Sequence, residues 1–187
     1  NVADGPRRGA NADDAVVTAR ALERAGADLL VLSGGRNVES TWFMFGSLVD
    51  QQEMARVLGN DVLSRLAIKL SALTGPRSMP FREMYFLEHS RKVRAAVKMP
   101  LAYLGGVKSL DNAERAMTEG FECVVMARAL IHDTGLVNRF RSGETRQSGC
   151  TSCNRCVAYI YHPAGTRCVE NAPNDPALNL VRAAAVD

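Results

Sequence analysis

An α/β fold with a parallel sheet is what this sequence predicts, and three observations predict it. Helical stretches and short apolar runs alternate in tandem, the runs are nearly continuous rather than alternating, and each ends in small residues or glycine. Short loops joining such helix-strand units leave room for crossover helices and parallel strands, and for little else.

The first unit begins at Asn11-Ala12-Asp13-Asp14, which has helix N-cap chemistry. Ala15, Val16, Ala19 and Leu22 then recur at helical spacing up to Ala25, and Gly26 offers a C-terminal stop. "DLLVLSGG" at 28–35 follows and reads as a strand buried on both faces. A second helical stretch at 87–97 leads through Met99-Pro100 into "LAYLGG" at 101–106. A third starts at Leu110, stops near Gly120 and enters "ECVVMAR" at 122–128, with Cys123 expected to be a small buried hydrophobe. After Ala129 a last helix is predicted, running through Leu136 to Phe140, before the polar loop "RSGETRQSG". Between Arg36 and Arg82 the pattern lapses into an elaborated loop. It contains Trp42-Phe43-Met44-Phe45, a helix at 50–58 and an apolar run at 66–70, all read as local core.

Composition narrows the function classes. The chain has 187 residues, 47% of them hydrophobic and 23% charged, which suits one packed domain. A formal net charge of +3, evenly spread, gives no footprint for nucleic acid, and no apolar run is long enough for a membrane helix. Five cysteines, four of them clustered, fit a reducing compartment with a bound metal or cluster better than a disulfide framework, so a cytoplasmic location is expected. The opening at Asn1, without methionine, suggests a start further upstream.

In parallel α/β folds the chemistry gathers at the carboxyl ends of strands. Gly105 and Gly106 let backbone amides approach an anion closely, and the helix following Ser109 is expected to aim its first amides the same way. Ala127 and Arg128, at the next strand end, add further amides and a guanidinium that can fork onto phosphate oxygens. These four residues are the candidate phosphate cup. His89, His132 and His162 have no evident partner and read as capping or surface residues.

Cys150, Cys153 and Cys156 are spaced by two residues each, and eleven more precede Cys168. Thiolates are soft ligands, and two-residue spacers let a loop wrap one face of an iron-sulfur cluster. The distant fourth cysteine is what a single cluster would require. Four thiolates also suit structural zinc, which more often uses two CxxC pairs.

Taken together, "PLAYLGGVKSLDNAERAMTEGFECVVMARALIHDTGLVNRFRSGE" resembles the last two strands of the old yellow enzyme family of FMN-dependent NADH:flavin oxidoreductases. "CTSCNRC" with Cys168 resembles that family's iron-sulfur branch, at a spacing like that of trimethylamine dehydrogenase; 2,4-dienoyl-CoA reductase-like members insert one more residue before the third cysteine. The resemblance implies the C-terminal part of a (β/α)8 barrel, about strands 6 to 8, since a whole barrel takes about 250 residues. Residues 1–145 would belong to the FMN-binding domain and 146–187 to a cysteine-rich tail carrying a 4Fe-4S cluster.

It further implies that Gly106, Ala127 and Arg128, flanked by Gly105, hold the FMN phosphate, and that Cys150, Cys153, Cys156 and Cys168 ligate the cluster. NAD(P)H would be the electron donor for reduction or dehydrogenation of a small molecule. The flavin-ring contacts, substrate anchors and proton-donating tyrosine lie in the N-terminal half in this family, so no catalytic residue is assigned here. The 187 residues alone are expected to be inactive without the missing half of the barrel, and a cluster would need an external electron partner. Two alternatives remain: a flavin-free phosphate-binding barrel enzyme, and an interaction module stapled by zinc.

Overall fold

The structure is a computed structural model describing residues 1–5, 9–37, 40–58, 62–63, 66, 70, 78–160, 162 and 165–171. Most of the apolar run expected at 66–70, and the tail beyond Asn171, lie outside these residues.

Three helix-strand units form as the periodicity predicts. Helix α1 spans Ala12–Arg24 and opens on a capping box: the Asn11 side chain accepts from the Asp13 and Asp14 amides, while Asp14 accepts from the Asn11 amide. Strand β1 is Leu30–Leu32. The loop to the second unit carries two helices, α2 (Thr41–Phe45) and α3 (Gln51–Leu58). Helix α4 (Leu87–Ala96) then leads to β2 (Leu101–Leu104), and α5 (Leu110–Thr118) to β3 (Cys123–Val125). The single final helix expected divides in two, α6 (Arg128–His132) and α7 (Leu136–Ser142). The break falls at Asp133-Thr134-Gly135, where the Asp133 carboxylate accepts from the Gly135 amide and turns the chain.

The strands pair in parallel in the order β1-β2-β3, with Leu30 opposite Leu101 and Ala102 opposite Cys123. Glutamates secure the strand entries. Glu23 on α1 accepts from the amides of Lys98 and Met99 at 2.6 and 2.7 Å, and these hold its carboxyl below the usual range; Glu122 accepts from the Leu101 amide at 2.7 Å.

One face of the sheet packs against the helices. Leu32, Leu101, Tyr103, Phe86, Val93 and Phe121 are buried in that core, and α1 lies against α4. The pleat sends alternate side chains to the other face. There Val31 is 44% exposed and Cys123 is exposed. Two sequence expectations are corrected by this: β1 is not covered on both faces, and Cys123 points away from the core because it is in register with Ala102, not with Tyr103.

A second, smaller core joins Met54 and Val57 of α3 to Ala158, Tyr159 and Val169. Arg155–Tyr159 forms a short 3₁₀ helix against α3, and the Tyr159 hydroxyl donates to the buried Glu53 carboxylate at 2.7 Å. The elaborated loop is therefore the platform on which the cysteine segment rests. No helix among the described residues is long and apolar enough to cross a membrane.

Candidate functional site

All three strands end at one cleft of about 260 Å³. Gly105 and Gly106 follow β2, Ala127 caps α6 just after β3, and Arg128 is the first residue of that helix; all four face the cleft, as do Ser33, Gly34 and Gly35 after β1. Gly106 sits at φ +79°, and a Cβ there would come 2.9 Å from the Tyr85 ring and 3.0 Å from the Met84 amide nitrogen. Only glycine fits this bend without strain, so the wall is bare backbone. Lys108 adds a second cation to the same wall.

The cations are already engaged. Arg128 donates through Nη1 to the Asn154 side-chain oxygen and through Nη2 to the Phe45 carbonyl at 2.8 Å, with its guanidinium against the Phe45 and Phe81 rings. Lys108 Nζ donates to the Cys150 carbonyl at 2.8 Å. Two of the α5 amides the sequence promised are also occupied: Leu110 donates to the Arg146 carbonyl and Asn112 to the Ser109 hydroxyl. The α5 start is used to dock the tail, through an antiparallel bridge between Ser109 and Gln147. Beside the cleft, Tyr85 donates its hydroxyl to the Met44 carbonyl at 2.9 Å, and burial pushes its phenol up, so it stays protonated.

Cys150, Cys153, Cys156 and Cys168 line one small cavity of about 10 Å³ together with Arg128 and His132. Burial pushes the Cys156 thiol up to about 11 against a pull downward from Arg128, and the other three thiols raise it further. Ser152 and Asn154 flank Cys153, and both adopt left-handed backbone, at φ 60° and 61°. That double reversal turns Cys153 outward, while the Asn154 side chain goes inward to donate to the Ser47 hydroxyl at 2.8 Å and the Leu48 carbonyl at 3.0 Å.

As a donor set, four soft thiols on one wall suit a soft metal or an iron-sulfur cluster. The cavity is about the size of one water molecule, so the loop must open around any inorganic core. Among the described residues no group of three or more His, Cys, Asp or Glu side chains is closed to metal-ligand geometry.

Three contributors to the site are not evident from the sequence. Asn154 carries the loop's docking, Lys108 caps it, and His132 sits beside Cys168 rather than standing without a partner. Asn154 had a faint signal, since asparagine tolerates left-handed backbone in a turn; the other two contacts join residues 42 and 36 positions apart.

Two curated proteins are similar to this chain. The 4,4'-dithiodibutanoate disulfide reductase of Rhodococcus erythropolis is 38% identical over 173 residues, which cover 90% of this chain and 41% of that protein. The bilirubin reductase of Mediterraneibacter gnavus (strain CC55_001C) is 28% identical over 93 residues, 48% of this chain and 14% of that protein. The chain thus spans less than half the length of either relative. No protein-family model matches it, and neither does any solved structure.

Proposed function

We propose that these residues form the phosphate-binding and thiol-bearing end of an FMN-dependent, NAD(P)H-linked reductase, within a (β/α)8 barrel of the old yellow enzyme type. The observation that carries this reading is the convergence of Gly105, Gly106, Ala127 and Arg128 on one cleft whose wall also contains Cys150. The names of both relatives as reductases favour redox chemistry over a flavin-free barrel enzyme.

The cleft fits a flavin phosphate: its glycine wall has no room for side chains, and two cations border it. The bound flavin would supply hydride transfer through its N5 atom. The residues of this chain have narrower tasks. Backbone at Gly105 and Gly106 would receive the phosphate, Arg128 would balance its charge, and Tyr103, whose hydroxyl donates to the Gly105 carbonyl at 2.9 Å, fixes the bend. Cys150, Cys153, Cys156 and Cys168 would hold a 4Fe-4S cluster beside the flavin, with Arg128 lining both sites. Because one relative is named for a disulfide substrate, small disulfides are the first substrates to try, alongside activated alkenes.

FMN binding by the complete protein that contains these residues tests the assignment. Arg128→Ala removes a charge-assisted contact worth about 1.5–3 kcal/mol, which is roughly 10- to 100-fold in FMN affinity. Gly106→Val, which adds strain and a clash, should abolish FMN retention. Wild-type FMN content in both variants would place the flavin elsewhere.

A further inference from the structure

Cys168 stands outside the CxxCxxC loop, eleven residues beyond Cys156, and needs a device of its own to meet the other thiols. The structure has one in α6. Its first residue, Arg128, holds the loop through Asn154, and its last, His132, reaches the fourth thiol: His132 Nδ1 lies 3.4 Å from Cys168 Sγ. His132 is held at two further points. A Cβ on Gly149 would come 2.6 Å from Nε2, so the chain abuts the Nε2 edge of the ring just before Cys150, and the His132 backbone carbonyl accepts from the Asn171 side chain.

We infer that His132 is a positioning residue of the thiol site, donating Nδ1–H to Cys168 Sγ and aiming the fourth thiol at the other three. The inference rests on the reading that these thiols hold a soft metal or cluster. A thiolate only accepts, so the tautomer bearing its proton on Nδ1 is required; the bare nitrogen lone pair would repel the sulfur. Such outer partners orient metal ligands, and their loss typically costs about 10- to 100-fold in affinity.

Cadmium is the probe, titrated anaerobically into the complete protein stripped of metal, with sulfur-to-cadmium absorption as the readout. His132→Asn places an amide N–H near Nδ1 and should keep most of the affinity. His132→Gln carries its amide one bond further, towards Gly149, and should weaken binding about 10- to 100-fold, as should His132→Ala. Comparing two amide variants of similar bulk separates positioning from misfolding, with circular dichroism as the check. Equal affinity in wild type, Asn and Gln forms would overturn the role of His132 while leaving the thiol site intact. No sulfur-to-cadmium absorption in the wild type would overturn the metal reading and the inference together.

Discussion

At the scale of the residue, Cys156 and Asn154 set the character of the thiol loop. Burial keeps the Cys156 thiol protonated up to about 11, against an ordinary value of 9.0. A raised acid favours the folded state while protonated. Its contribution is complete below about 9 and lost as pH climbs to about 11, so the metal-free protein should lose stability over that window. Two units also lower the thiolate fraction at neutral pH roughly a hundredfold, so Cys156 should be among the slowest thiols alkylated and the outward Cys153 among the fastest. Mass-spectrometric mapping of timed iodoacetamide labelling checks this; fast modification of Cys156 would contradict it. Asn154 is 1% exposed and its side chain joins Arg128 to Ser47 and Leu48. Asn154→Ala takes one partner from the half-buried Arg128 guanidinium and the amide donor from the Ser47 and Leu48 carbonyls, and should cost about 1–3 kcal/mol in chemical denaturation. Asn154→Gly, which suits the left-handed backbone but lacks the side chain, should be nearly as damaging if the hydrogen bonds matter more than the turn.

At the scale of the element, what was legible in the sequence is what local physics dictates. The Asn11 cap, the apolar spacing of α1 and the terminators Gly26 and Gly120 place the helices to within a residue or two. The glycine pair after β2 and the arginine after β3 marked the strand ends that meet at the cleft. What was not legible depends on contacts distant in sequence. The apolar run at β1 hides that only one face is covered, because periodicity in a three-residue strand does not report what lies above it. Of the α5 amides promised to an anion, that of Leu110 is taken by the distant Arg146 carbonyl, which no local pattern encodes, and that of Asn112 by the Ser109 N-cap. Likewise, the α3 platform under Tyr159 and Val169 depends on a second core assembled from two separate stretches. In that core Tyr159→Phe should destabilise by about 1–3 kcal/mol, since it leaves the buried Glu53 carboxylate short of a donor at 2.7 Å; the shift in the denaturation midpoint measures it.

At the scale of the whole molecule, the three-stranded sheet is covered on one face, while on the other its edge strands are open and only the central Ala102 is buried among Val31, Ala102 and Cys123. Val31 and Leu29 are 44% and 46% exposed, and β1 and β3 each pair with a single strand among the described residues. Such edges and apolar faces recruit other chains. The 187 residues expressed by themselves should therefore associate with rising concentration, as sedimentation velocity would record, and a strictly monomeric species at high concentration would contradict this. The cleft and the thiol cavity sit side by side at one end of the sheet, where strand ends, α6 and the docked tail converge and Arg128 borders both. The proposed function puts a flavin next to an iron-sulfur cluster at this end. An absorption spectrum of the complete protein, purified without oxygen and titrated with dithionite, tests it most directly. Flavin bands from releasable FMN over a broad shoulder that bleaches on reduction are expected, and a colourless protein with neither flavin nor iron would contradict the assignment.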